Sequence, residues 1–188
     1  IYPRRDQRWS YAEFDAKANQ LANALADIGI EKGDRVSTML HNGTEIVTTV
    51  FACAKLGAVF NPLNYRLPAG EMEYILNDAD SQVLVFEEGT TEAVTTARPG
   101  LEAVDEYLYI DDDGPEWSRD FYGLLEDADD TRPDTVVEED DAYAFIYTSG
   151  TTGQPKGVVH EHRDMVEHNL ICIGEGELRR DEVGLSAF

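Results

Sequence analysis

Across residues 10–110 the sequence switches repeatedly between two hydrophobic periods, and that alternation constrains the fold more than any other feature. Ser10 followed by Glu13 has capping-box spacing, after which Phe14, Ala18, Leu21, Leu25 and Ile28 recur at steps of four and three and mark one helix face. Gly29 is placed to stop that helix. The run "DRVSTML" (34–40) predicts a strand, "NGTE" a turn into a helix over 45–56 with Gly57 as its stop, and "AVFNPL" a second strand. The pattern repeats with a helix near 69–77, a strand at 82–88, a short helix near 91–97 and a strand at 106–110. Short apolar strands alternating with helices predict an α/β fold, a mainly parallel sheet with helices on its faces.

From 102 to 141 the character changes, with seventeen acidic residues against two basic ones. Such a run predicts a solvated face or an exposed connection. Within it one amphipathic helix is expected over about 116–128, with Trp117, Phe121, Leu124 and Leu125 inward. The chain therefore divides into a βα-alternating segment (1–101), an acidic connecting segment (102–141) and a closing segment (142–188).

The acidic excess is global. Fifteen basic against thirty-eight acidic residues give a formal charge of −23, which argues against nucleic acid or an anionic membrane as a partner. Self-repulsion of that size is screened over about 3 Å at 1 M salt, and eleven Arg to four Lys suits pairing with surface carboxylates, so a halophilic source is expected. Cys53 and Cys172 sit in apolar contexts without metal spacing and are expected to be buried free thiols. No run of eighteen apolar residues or signal peptide is evident, which makes a cytoplasmic protein without an integral membrane segment the expectation. The chain opens on Ile1 and closes on the apolar "GLSAF", so it reads as a piece of a longer polypeptide whose cut end would leave apolar surface open to self-association.

The chemistry concentrates in "IYTSGTTGQPKGVVH" (146–160). "AYAFIYT" (142–148) has the content of a buried strand and "GVVHEH" (157–162) reads as another, so a loop of Gly, Ser, Thr and Pro joins two strands. Gly150, Gly153 and Gly157 allow backbone angles and close approaches that a Cβ forbids. The hydroxyls of Thr148, Ser149, Thr151 and Thr152 join exposed amides as donors to an anion, and Lys156 adds a mobile positive charge. A Walker A loop would need Gly before the Lys and Ser or Thr after it; Pro155 and Gly157 stand there instead. A polar hairpin without a ligand accounts for the glycines but not for a lysine and four hydroxyls together in a Lys-poor chain. His160 and His162 alternate on the second strand, with His168 on the helix beyond; zinc would need a third fixed ligand, and local hydrogen bonding is the preferred role.

"YTSGTTGQPKGV" (147–158) resembles the signature loop of the adenylate-forming superfamily, the acyl-CoA synthetases, aryl-CoA ligases, luciferases and peptide-synthetase adenylation domains. The likeness extends upstream through "SYAEFDAKANQLANALADIGIEKGDRV", "HNGTE" and "KLGAVFNPLNYRLPAGEMEYILNDADSQVLV". Downstream, "HEHRDM" is similar to the His-Arg-Asn that follows the loop in the family, with Asp164 where Asn is frequent.

The resemblance implies part of a large N-terminal AMP-binding domain that uses ATP and Mg²⁺ to turn a small-molecule carboxylate into an acyl-adenylate, with coenzyme A as the usual acceptor. Thr148, Ser149, Gly150, Thr151, Thr152, Gly153 and Lys156 would form the phosphate cradle, stabilising charge that develops on departing pyrophosphate. The family's adenine contacts, acidic Mg²⁺ ligand, most of the acyl pocket and the C-terminal domain with its adenylation lysine lie later than this chain reaches, so the 188 residues alone are expected to be inactive. A fatty-acid ligase is the leading expectation. An aryl-CoA ligase or a carrier-protein-feeding adenylation domain is the runner-up, and a short non-catalytic nucleotide-binding or interaction module is the alternative of another class.

Overall fold

A computed structural model describes residues 8–149 and 153–176. Helix α1 (Tyr11–Asp27) starts where its cap dictates: Ser10 Oγ accepts from the Glu13 amide at 3.2 Å, and the Glu13 carboxylate accepts from the Ser10 amide at 2.7 Å. Ala18, Leu21 and Leu25 are its fully buried stripe, and Gly29 ends it at φ +95°. Strand β1 (Arg35–Met39), helix α2 (Thr44–Leu56), strand β2 (Val59–Pro62), helix α3 (Ala69–Asp78), strand β3 (Ser81–Phe86), helix α4 (Thr91–Ala97) and strand β4 (Glu106–Tyr109) follow in the expected order. Gly57 closes α2 in the left-handed region at φ +77°, where a side chain would be strained. Strand β3 stops short of the expected end because 88–90 turn into a 3₁₀ segment.

The remaining elements are strand β5 (Arg119–Asp120), helix α5 (Phe121–Glu126), strand β6 (Ala142–Thr148), strand β7 (Lys156–Glu161) and helix α6 (His162–Glu175). The seven strands lie in the order β5-β4-β3-β1-β2-β6-β7, parallel except for the antiparallel β6–β7 hairpin. This is the mainly parallel α/β sheet that the sequence predicts.

Alternation along the strands divides the core in two. Val83 and Val85 of β3 and Leu108 of β4 join Leu21, Leu25 and Ala52 from α1 and α2 in one cluster. Leu84 and Phe86, with Tyr107 and Tyr109, join Met72, Leu76 and Val94 from α3 and α4 in the other. The central sheet is therefore covered on both sides, which explains the unbroken apolar run Val83–Phe86 in β3.

Three expectations need correction. The helix proposed over 116–128 is only α5, because Asp120 caps it by accepting from the Tyr122 amide at 3.0 Å. Trp117 belongs to the α3/α4 side, stacked on Phe86 at 5.4 Å with Arg98 4.8 Å above it, whereas Phe121, Leu124 and Leu125 serve the opposite cluster. One continuous helix could not supply both. Strand β6 is mostly half-buried or exposed, only Ala144 being buried. Cys53 is buried as expected, but Cys172 is exposed on α6.

Between α5 and β6 the acidic connection is held by the side-chain amides of Asn19 and Asn23, by Lys32 and, at Glu139, by Arg163. Asn19 donates to the Asp130 carbonyl at 2.7 Å, Asn23 to those of Asp129 and Thr131, and Lys32 to that of Val136 at 3.0 Å while pairing with Asp141. These contacts fix the backbone between α1 and β6 and leave most of the carboxylates in solvent.

Candidate functional site

Strand β6 runs parallel to β2, so the turn after Thr148 leaves from the carboxyl edge of the sheet, the edge at which open α/β sheets bind ligands. The chain then returns antiparallel in β7. Thr148 stands opposite Lys156, and Tyr147 opposite Gly157. Because side chains alternate, Thr148 and Lys156 share one face of the hairpin, and Tyr147 and Gly157 share the other.

Thr148, Ser149, Gly153 and Lys156 of the expected cradle are therefore brought together at one hairpin end, all exposed. Gly150, Thr151 and Thr152 lie outside the described residues. Gly153 holds φ +103° with open space around it, so its constraint is backbone conformation rather than crowding. The other three lysines are engaged: Lys32 with Asp141, Lys55 with Asp15 at 2.8 Å, and Lys17 over the Trp9 ring at 5.1 Å. Among the described residues, Lys156 has no carboxylate partner. A lysine left uncompensated in so acidic a chain, beside hydroxyls on a turn, suits a polyanion such as a phosphate chain.

The back of the hairpin is built differently. The Tyr147 ring packs against the α3/α4 cluster, and its hydroxyl donates to Asp78 Oδ2, the last residue of α3, at 2.6 Å. Burial pushes this phenol well above the ordinary tyrosine range, helped by the hydrogen bond to Asp78 and its charge. A Cβ on Gly157 would meet Tyr147 Cζ at 2.9 Å, so only glycine lets the ring lie there. Neither Asp78 nor the packing role of Tyr147 is among the residues expected from sequence. The signal that would have found the Tyr147 packing is the register that sets an aromatic opposite a glycine across the hairpin; nothing local points to Asp78.

Helix α6 begins directly after β7. His162 therefore opens the helix rather than alternating with His160 on one strand. Its ring meets Tyr143 edge-on at 5.2 Å, and desolvation holds it below the usual histidine value, partly opposed by the charge of Asp141. Among the described residues His162 Nε2 has no hydrogen-bond partner. Asp164 accepts from the Glu161 amide at 3.0 Å in a capping box, so its carboxylate serves the helix start.

Comparison with known proteins bears on this arrangement. A long-chain-fatty-acid–CoA ligase of Mycobacterium tuberculosis, FadD13, is 36% identical over 171 residues, covering 88% of this chain and 32% of that protein. Surfactin synthase subunit 1 of Bacillus subtilis is 38% identical over 161 residues, covering 85% of this chain and 4% of the synthase. Among solved structures, the anthranilate CoA ligase AuaEII in complex with anthranoyl-AMP superposes with a TM-score of 0.85 at 28% identity, covering 89% of this chain and 33% of that one. The chain thus spans about a third of the length of the CoA ligases it matches. The family described as AMP-binding enzyme matches residues 1–187, and the chain belongs to that family.

Proposed function

We propose that this chain is the leading part of an ATP-dependent acid–thiol ligase, which activates a carboxylic acid, most simply a fatty acid, as its acyl-adenylate and passes it to coenzyme A. The observation that carries the proposal is the hairpin at the carboxyl edge of the sheet, where Lys156 faces Thr148 with no carboxylate partner among the described residues. In this reading Thr148, Ser149, Gly153 and Lys156, with Gly150, Thr151 and Thr152 beside them, hold the phosphates of ATP. Their donors stabilise charge that grows on pyrophosphate as the carboxylate attacks the α-phosphorus and the bond to the β-phosphate oxygen breaks. Mg²⁺ would neutralise the same phosphates from ligands beyond this chain, and the C-terminal domain with the adenylation lysine would also lie beyond it. The isolated 188 residues therefore do not turn over in this proposal. The match to FadD13 supports the fatty-acid ligase reading.

The similarity to surfactin synthase supports a second reading, an adenylation domain that loads a carrier protein. The net charge of −23 supports a cytoplasm of high salt as the working medium. Among the described residues no helix is long and apolar enough to cross a membrane.

The test is thioester formation by the longer polypeptide containing this chain, in high KCl with ATP, Mg²⁺, coenzyme A and short, medium, long and aryl carboxylates. Thioester that falls by roughly 10²–10³-fold on Lys156→Ala supports the ligase and the cradle together. Pyrophosphate release without thioester moves the assignment to the carrier-protein reading. A well-folded protein that forms neither product with any acid leaves a non-catalytic nucleotide-binding module.

A further inference from the structure

The loop-bearing end of the β6–β7 hairpin projects beyond its parallel neighbour β2. Strand β6 is in register with β2 at Phe60 and Ala144, and β2 ends at Pro62, so Tyr147 and Thr148 run past the end of their parallel neighbour. What holds that far end is Tyr147. Its ring lies on the backbone of Gly157, and its hydroxyl reaches Asp78 at the end of α3, an element anchored by Met72, Ile75 and Leu76 in the core. Thr148 follows Tyr147 directly and Lys156 precedes Gly157, so the anchored pair sits one residue from the proposed phosphate ligands on both strands. A rotation of that projecting end would move Thr148, Ser149 and Lys156 together.

We infer that Tyr147 is a positioning residue: its hydrogen bond to Asp78, made possible by Gly157, fixes the direction in which the hairpin presents Thr148, Ser149 and Lys156 to a triphosphate. This rests on the nucleotide reading above and adds to it a part for α3, which carries none of the proposed phosphate ligands. Three groups suffice: a donor that stays protonated through the neutral range, an acceptor on a rigid helix end, and a glycine that lets the ring seat. A side chain kept only for core packing would not need the hydroxyl. Pre-organisation of this kind acts on the reacting geometry, where displacements near 1 Å cost up to about 100-fold in rate.

The experiment measures ATP–pyrophosphate exchange in the longer polypeptide for wild type, Lys156→Ala, Tyr147→Phe, Asp78→Ala, Asp78→Asn and the double variant Tyr147→Phe/Asp78→Ala. Melting temperatures are recorded alongside. Tyr147→Phe and Asp78→Ala should each lower kcat/KM for ATP by roughly tenfold. The double variant should be no worse than either single one, since both remove the same bond. Asp78→Asn keeps an acceptor and should retain most of the activity, which a loss of negative charge alone would not allow. Wild-type kinetics in Tyr147→Phe, or losses that multiply in the double variant, overturn the inference while Lys156→Ala remains impaired. If Lys156→Ala also exchanges at the wild-type rate, the nucleotide reading falls and takes the inference with it.

Discussion

Asn61 of β2 donates its side-chain amide to Ser37 Oγ of β1 at 2.8 Å, and Ser37 Oγ lies 2.6 Å from Ser81 Oγ of β3, all three residues being fully buried. A polar bridge thus crosses the three central strands inside an otherwise apolar sheet. Removing Ser37 Oγ leaves Asn61 and Ser81 only a long 3.4 Å contact with each other in a dry interior, which costs more than the bond itself is worth. Ser37→Ala should destabilise by about 1–3 kcal/mol, lowering Tm by roughly 2–4 °C per kcal/mol. Chemical denaturation of the variant measures this; an unchanged midpoint would mean that the bridge is energetically neutral.

Gly157→Ala tests the crowding at the hairpin. The new Cβ would sit 2.9 Å from Tyr147 Cζ and 3.2 Å from its hydroxyl, so the ring must move. The expected cost is about 1–3 kcal/mol, the range for overpacking. In a Tyr147→Ala background the same change should cost far less, and a double-mutant cycle on unfolding free energies measures that coupling. Equal costs in both backgrounds would place the strain elsewhere.

Alkaline pH should unfold the protein through its tyrosines. Tyr107, Tyr109, Tyr143 and Tyr147 are all pushed above the ordinary value, burial being the largest cause in each. The folded state keeps protons that the unfolded chain releases near pH 10, so this stability is complete below about pH 10 and declines as pH rises above it. Ultraviolet titration should show phenolate appearing together with loss of helix, and Tyr147→Phe should make the decline shallower. Independent titration of all phenols with the fold intact would contradict this.

Salt should stabilise the fold. With thirty-eight acidic residues against fifteen basic ones, raising KCl from about 0.1 M to about 1 M shortens the screening distance from about 10 Å to about 3 Å and relieves repulsion among the carboxylates. The melting temperature is expected to rise across that range. A flat or falling profile would count against a high-salt setting.

The two thiols should separate cleanly. Cys53 is wholly buried and its thiol is pushed up by desolvation, whereas Cys172 is exposed, 3.5 Å from His168 Nε2. A disulfide reagent should label one thiol quickly in the native chain, lost in Cys172→Ser, and the second only after denaturation. Two comparable native rates would refute the assignment.

Where local chemistry decides the structure, the sequence was legible. Ser10 and Glu13 state the start of α1 by their spacing, Gly29 and Gly57 state helix ends by needing positive φ, and the two alternating faces of β3 are written as an unbroken apolar run. Where partners far along the chain decide, it was not. Strand β5 has two residues and exists only because β4 offers an edge, and Trp117 and Phe121 look like one helical stripe until their opposite clusters are seen. Cys172 sits in an apolar run that looks buried and is exposed on α6. At the proposed site, the composition of the loop suggested an anion, while the support from Asp78, which comes from 69 residues upstream of Tyr147, had no local trace.

The strand order has a consequence for biosynthesis. Strands β1 and β2 are neighbours, β3 and β4 then extend the sheet on the other side of β1, and β6 and β7 extend it beyond β2, so every strand that emerges finds an earlier one already waiting. Chains fold as they are made, leading end first. Helices α1 to α5 and strands β1 to β4 can assemble while the ribosome has yet to translate "YTSGTTG", and that loop is delivered onto a finished support instead of searching for one.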